Sequence, residues 1–183
     1  MIALYRVVSH IIILRNKMKI GILSDTHNNL SNLLFVLSKF RSRDITTVIH
    51  CGDLGDMGLI QYFDGFRLIY TYGNWDRSRG LINFEVQKLG NDSFAGPFFD
   101  GKIAGKKIMV LHGEVEEQVL VAVHLRQYDY IIRGHTHEHS DKQYFQTRII
   151  NPGALGGVYP EPRSFCTLDL VSNDLQFFVV PER

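Results

Sequence analysis

The sequence predicts an α/β fold in which two β-sheets pack face to face and helices cover their outer faces, four layers in all, with a metal site at the carboxyl ends of the strands. Two observations carry this prediction. Short apolar runs recur along the chain, separated by stretches whose apolar residues repeat at helical spacing. After run upon run, the next residues are Asp, His or Asn beside a Gly. In α/β architectures, ligands bind outside the carboxyl ends of the strands.

The bulk composition bounds the answer. The chain has 183 residues, 45% hydrophobic and 21% charged, which suits one domain with a full core. A formal net charge of +1 gives no electrostatic signature of stable nucleic-acid binding. Cys51 and Cys166 stand far apart inside apolar strand-like runs, as buried thiols do, and make no disulfide framework. The expected compartment is the cytoplasm.

Residues 1–17 hold two apolar patches broken by Arg6 and His10. A membrane-spanning helix needs roughly 20 predominantly apolar residues, and a signal peptide needs a cleaner apolar region with a small-residue cleavage site. Neither pattern is present, so no membrane association is expected. Met18 opens a strand, which makes residues 1–17 an accessory or artefactual extension and residues 18–183 the working domain.

Met18 to Leu23 is a short apolar run that stops at Ser24-Asp25, as a buried strand does. Asn29 or Ser31 is placed to cap a helix, in which Leu30, Leu33, Leu34, Leu37 and Phe40 recur at helical spacing. Thr46 to His50 and Arg67 to Thr71 are the next strands, ending at Gly52-Asp53 and Gly73-Asn74. Residues 91–106 read as a loop or hairpin at the rim of the site. Lys107 to Leu111 is a strand ending at His112-Gly113. Glu116 to Gln127 is helical, with Val119, Leu120, Val123 and Leu125 apolar and Glu114, Glu116 and Glu117 near the positive end of its dipole. Tyr128 to Ile132 is a strand ending at Arg133-Gly134-His135. Tyr144 to Ile150, Ser164 to Leu170 and Leu175 to Val180 complete the second sheet, with Ser172-Asn173-Asp174 as a hairpin turn.

Seven candidate metal ligands emerge: Asp25, His27, Asp53, Asn74, His112, His135 and His137. Taken singly, each cluster has an ordinary explanation. Asp at a strand end is a common turn residue, Gly-Asn is a turn dipeptide, and D-x-H arises by chance. Their order and their shared position after strands argue for a joint role. Carboxylate and amide oxygens mixed with imidazole nitrogens suit divalent Mn, Fe, Zn or Co. Seven ligands exceed what one ion takes, but with one bridging carboxylate they fill two adjacent sites, an arrangement used to hydrolyse phosphate esters.

The motifs SDTH at 24–27, CGD at 51–53, GNWD at 73–76, LHG at 111–113 and GHTH at 134–137 resemble those of the calcineurin-like metallophosphoesterases. The likeness is greatest to their small single-domain phosphodiesterase branch, whose NPGS motif is similar to NPGA at 151–154. The resemblance implies two divalent ions, Mn the favoured one, with Fe, Zn, Co or Ni as alternatives. It implies that Asp25, His27 and His137 hold the first ion, that Asn74, His112 and His135 hold the second, and that Asp53 bridges both. It implies hydrolysis of a small phosphodiester or nucleotide-like substrate by a hydroxide shared between the ions, with Asp53, Asn74 and His27 in the catalytic machinery.

One residue departs from the pattern. Many members of that family carry His after the Asn, and the small branch often carries Cys, where this chain has Trp75. An indole N–H donates a hydrogen bond but is no general acid at neutral pH. Leaving-group protonation then falls to water or His27, which favours diesters with good leaving groups over alkyl monoesters. Trp75 either stacks on an aromatic substrate group or packs its own loop. Asp76 is read as a carboxylate that fixes the loop, His50 and Ser24 as partners of the site, Arg133 as one half of an ion pair, and His139 as structural or solvated. Two rival functions share the fold: a protein-interaction scaffold resembling the retromer subunit, and a phosphomonoesterase or nucleotidase. The oligomeric state is left open, a homodimer included.

Overall fold

In a computed structural model that describes residues 18–158 and 162–181, β1 (Lys19–Leu23) lies at the heart of a six-stranded sheet. The predicted extension, residues 1–17, lies outside the described residues. From β1 the chain makes three crossovers. It passes through α1 (Leu30–Arg41) to β2 (Thr47–His50), and through a 3-10 helix (Met57–Phe63) to β3 (Arg67–Thr71). It then passes through α2 (Arg79–Lys88) to β4 (Phe94–Gly96). Each new strand is parallel to the last, with Ile22 opposite Ile49 and Ile49 opposite Ile69. Pro97 follows, and β5 (Phe98–Ile103) starts a second sheet as a hairpin with β6 (Lys106–Leu111). A further crossover through α3 (Glu116–His124) leads to β7 (Tyr130–Ile132), parallel to β6. The hairpin of β8 (Ser140–Tyr144) and β9 (Thr147–Asn151) completes this five-stranded sheet, in the order β5-β6-β7-β9-β8.

The last two strands, β10 (Ser164–Asp169) and β11 (Asp174–Val179), correct the expectation for the tail. They return to the first sheet, where β10 pairs antiparallel with β1, and its order is β11-β10-β1-β2-β3-β4. Of the strand expected from Tyr144 to Ile150, the part from Thr147 onward is β9, whereas Tyr144 ends β8 and the chain turns between them at Phe145, whose φ is 53°. A single apolar run cannot show where a chain reverses when the turn residues are Phe and Gln.

The strands of the first sheet are buried on both faces because alternate side chains enter different layers. Ile20, Ile22, Ile49 and Ile69 meet Ile108, Val110, Ile132 and Ile150 of the second sheet. Leu23, Val48, Leu68 and Tyr70 point the other way, into a cluster with Leu33, Val36, Leu37 and Phe40 of α1. A third, smaller cluster sets Val119, Ala122 and Val123 of α3 against Leu111 and Ile131. These three apolar layers separate the four predicted layers of helix, sheet, sheet and helix. Each fully buried aliphatic or aromatic side chain contributes about 1.5–3 kcal/mol.

Asn29 caps α1, its side chain accepting the N–H of Asn32 at 3.0 Å, while Lys39 and Arg41 in the last turn complement the dipole. The ring of Phe40 packs where Gly21 lacks a side chain, since a Cβ there would lie 2.6 Å from it. The apolar stripe differs from the expectation in one register: Val36 is buried and Leu34 is exposed. Likewise Leu120 and Leu125 are exposed beside the buried Ala122. Helix α2 is an element the sequence did not announce, because only Ile82 and Val86 of its ten residues are buried.

Candidate metal centre

All seven residues singled out in the sequence meet at one end of the sandwich. Asp25 and His27 follow β1, Asp53 follows β2, Asn74 follows β3, His112 directly follows β6, and His135 and His137 follow β7. Asp25, Asp53, His112 and His137 are buried, His27 and His135 are partly buried, and Asn74 is exposed. Residues 91–106, expected at the rim, contribute nothing to the cleft lining, because β4 and β5 use that stretch to pass from one sheet to the other.

The chain turns sharply at the site. Asp25, His27, Asp53, His135 and His137 all have positive φ, between 43° and 72°, which L residues avoid. Such backbone costs of order 1 kcal/mol per residue and persists only where the surroundings enforce it. Here the enforcement is visible: the N–H groups of Asp25 and His27 donate to the carbonyls of Gly52 and Asp53, each at 3.0 Å, and that of His135 donates to Asp25 Oδ2 at 3.0 Å. At Gly73 no side chain is tolerated, for a Cβ would lie 2.0 Å from Asp53 Oδ1.

The donor atoms form two adjoining sets. In the first, His137 Nε2 lies 3.3 Å from Asp25 Oδ1 and 3.3 Å from His27 Nε2, and His27 Nε2 lies 3.7 Å from Asp25 Oδ1. In the second, His112 Nε2 lies 3.1 Å from Asn74 Oδ1 and 3.3 Å from His135 Nδ1. A single oxygen, Asp53 Oδ2, faces both sets, 3.9 Å from His27 Nε2 and 3.4 Å from His112 Nε2. Donors held about 2.0–2.2 Å from an ion are separated from one another by roughly 3.0–3.5 Å. The side chains therefore already stand at close to coordination spacing. Asp25 Oδ1 is buried and takes no hydrogen bond from the described residues, a cost that a bound cation removes. The residues fit divalent metal ions.

A layer of polar contacts aims these donors. His112 Nδ1 donates to the Cys51 carbonyl at 2.6 Å, which turns Nε2 toward the cleft as the atom free to ligate once it gives up its proton. His50 is stacked on Tyr70, with ring centroids 5.0 Å apart. Its Nδ1 accepts the Gly52 N–H at 3.1 Å, so Nε2 carries the proton and donates to Thr26 Oγ1 at 2.9 Å. The amide of Asn151 donates to the Gly134 carbonyl and to Thr136 Oγ1, each at 3.0 Å, and holds the loop that bears His135 and His137. Arg133 pairs with Glu116 at 2.5 Å and donates to the Gly113 carbonyl at 2.8 Å. Asp76 fixes its loop, as expected, through Oδ2. His139 stacks near Phe177, away from the donors. The clamping roles of Asn151 and Tyr70 were not foreseen. Asn151 gave the same signal as the ligands, a polar residue closing an apolar strand.

The electrostatics follow from crowding. Burial opposes charge on His112, but contact with Asp53 and the charges of Asp25 and Asp53 outweigh it, and its pKa is pushed up to about 9. Burial likewise opposes charge on Asp25, yet His137 and His112 hold its carboxyl below the usual range. Burial lowers His27, and burial together with the charge of His112 lowers His135. Complete burial takes His50 down to about 3.

Comparison with known proteins gives consistent results. A sequence model of the calcineurin-like phosphoesterase superfamily domain matches residues 18–173. A protein of Methanocaldococcus jannaschii named phosphodiesterase MJ0936 is 33% identical over 142 residues, covering 76% of this chain and 86% of that one. The solved structure of a novel archaeal phosphodiesterase superposes with a TM-score of 0.85 at 30% identity, over 89% of this chain and all, 100%, of the other. Vps29 of Entamoeba histolytica, complexed with Zn²⁺, shares the fold alone, at a TM-score of 0.63 and 20% identity over 87% of this chain and 90% of that one.

Proposed function

The chain belongs to the calcineurin-like phosphoesterase superfamily, and from that premise we propose that it is a two-metal phosphodiesterase acting on small phosphodiester or nucleotide-like substrates. Asp25, His27 and His137 would hold one ion, Asn74, His112 and His135 would hold the other, and Asp53 would serve both, as the spacing of their donor atoms supports. The observation that carries this reading is the position of Asp53 Oδ2 between His27 and His112. Asp25 also lies near His112, close enough to group with Asp53 and His112 around one point. Asp53 is nevertheless the better bridge, because one of its oxygens approaches an imidazole of each set.

Bound divalent ions supply two things here: they lower the pKa of water and offset charge on the phosphoryl oxygens. Mn²⁺ is the favoured ion, with Fe, Zn, Co or Ni as alternatives. The protein supplies position. Asp53 is held from three sides: the backbone N–H of Trp75 donates to Oδ1 at 2.8 Å, its own N–H is bound by Asp76, and Gly73 leaves room for its carboxylate. Asn74 presents a neutral oxygen to a pocket already rich in negative charge. Protonation of the leaving oxygen falls to water, because the neighbouring indole is no acid and His27, partly buried at the cleft, is committed to the first ion through Nε2. That weak acid supply favours diesters with good leaving groups over alkyl monoesters. Two buried, unpaired thiols agree with residence in the cytoplasm.

The test is hydrolysis of bis(p-nitrophenyl) phosphate by metal-stripped protein, with and without Mn²⁺, beside the Asp53→Asn variant and a matched monoester. Turnover that requires metal, is lost in Asp53→Asn and is faster on the diester supports the proposal. Stoichiometric metal binding with no turnover under any divalent ion refutes it.

A further inference from the structure

We infer that Trp75 is a stacking platform for a planar aromatic group of the substrate, so that the site selects phosphoesters bearing an aryl or nucleobase moiety beside the phosphate. The inference rests on the phosphoesterase reading above and names the substrate class for that same site.

Trp75 is the chain's one tryptophan, and it stands on the wall of the cleft that holds the donor atoms. A large aromatic ring normally gains its stability by burial, yet this indole is 63% exposed. Its place is not a consequence of a loose loop. On one side Asn74 reaches His112 at 3.1 Å, and on the other the carboxylate of Asp76 is buried and takes three donors. Between them the backbone N–H of Trp75 donates to Asp53 Oδ1 at 2.8 Å. The ring meets His27 in a T-shaped contact, centroids 5.5 Å apart and planes at 85°, which braces it while leaving most of its surface to solvent. The indole is thus pre-positioned against a residue of the first donor set, with its remaining surface unused.

The rest of the cleft indicates what that surface meets. The cavity has a volume of about 640 Å³, enough for a phosphate and a flat ring together. Its described lining includes no Lys or Arg, so outside the donor set no cationic side chain there is offered to a second phosphate or a polyanionic backbone. The lining also includes Gly157, where a Cβ would lie 2.9 Å from the His137 ring, and Val158, which is 94% exposed. An exposed indole in a cleft whose described lining has no Lys or Arg offers a planar group apolar area and stacking.

The single tryptophan also makes the test direct. Zn²⁺-loaded protein is titrated with phenylphosphonate and with methylphosphonate, reading tryptophan fluorescence and, independently, binding by calorimetry. The expected result is a saturable fluorescence change with phenylphosphonate and tighter binding of it than of methylphosphonate. In Trp75→Ala the ratio of the two affinities falls by about five- to thirty-fold, and Trp75→Phe restores most of it. Equal affinities in the parent protein, or the same ratio in Trp75→Ala, overturn the platform. Turnover of bis(p-nitrophenyl) phosphate on the same preparations reports the phosphoesterase reading separately, so the two fail in different ways.

Discussion

The phenol of Tyr70 donates a 2.6 Å hydrogen bond to Oδ2 of Asp76. That oxygen also accepts the backbone N–H groups of Asp53 at 3.0 Å and Gly73 at 2.8 Å. One buried carboxylate oxygen thus joins β3 to the loops carrying two of the proposed ligands, Asp53 and Asn74. Charge-assisted bonds of this kind are stronger than neutral ones, and residues that orient metal ligands typically affect affinity 10- to 100-fold. Tyr70→Phe is expected to weaken Mn²⁺ binding by about tenfold and Asp76→Asn by about a hundredfold, measured by competition with a chelating dye. Unchanged affinity in both would show that the loop holds Asp53 without this carboxylate.

Two glycine replacements are expected to act in opposite directions. Gly73→Ala drives a methyl group to 2.0 Å from Asp53 Oδ1 and should abolish metal binding at the bridging position. Gly80 lies in α2 with open space around it and no positive φ. Gly80→Ala should therefore stabilise the fold by roughly 0.5 kcal/mol, through helix propensity and a less flexible unfolded chain. Thermal denaturation of both variants checks the pair, and a stabilised Gly73→Ala would contradict the packing described here.

The metal-free protein should be most stable near pH 6.5. His50 has a folded pKa of about 3, below its ordinary 6.5, so stability is complete above pH 6.5 and declines as pH falls toward 3. The loss is on the order of 4 kcal/mol. His112 has a folded pKa of about 9, so its contribution is complete below pH 6.5 and is lost as pH rises through 9. That loss is about 3 kcal/mol. Denaturant titrations across this range read both limbs. A His50→Gln variant should flatten the acid limb alone, and if the limb persists, another group is responsible.

Metal loading should release a proton. Without metal, His112 is protonated below about pH 9, whereas a ligating imidazole must be neutral. Apparent metal affinity is therefore expected to rise with pH and level off near pH 9, and bound metal should suppress the alkaline loss of stability. Calorimetric titration in buffers of different ionisation enthalpy measures the proton count directly. A count of zero at neutral pH would show that His112 is already neutral in the metal-free protein.

Much of the site was legible because its signals are local. An apolar run that gives way to Asp, Asn or His identifies a strand end and its ligands together, four of the seven standing beside a Gly, and all seven meet in space. Asn29 could be read as a cap for the same reason, since the bond it makes reaches only to Asn32. Where the sequence misled, the deciding contact was distant. The exposure of Leu34 and burial of Val36 depend on how α1 lies on the sheet, and α2 is fixed by two buried residues.

By itself, then, the sequence determined the chemistry: which oxygens and nitrogens are available, the turns that bear them, and the two-sheet plan that puts strand ends at one edge. Only the tertiary structure decided that β10 and β11 return to pair beside β1, that Phe145 reverses the chain between β8 and β9, and that Tyr70 and Asn151 clamp the loops. It alone left the indole of Trp75 exposed in the cleft. The reason is physical: residue identity and turn propensity act over a few positions, while strand partners, buried polar networks and solvent exposure depend on what packs against a residue from far along the chain.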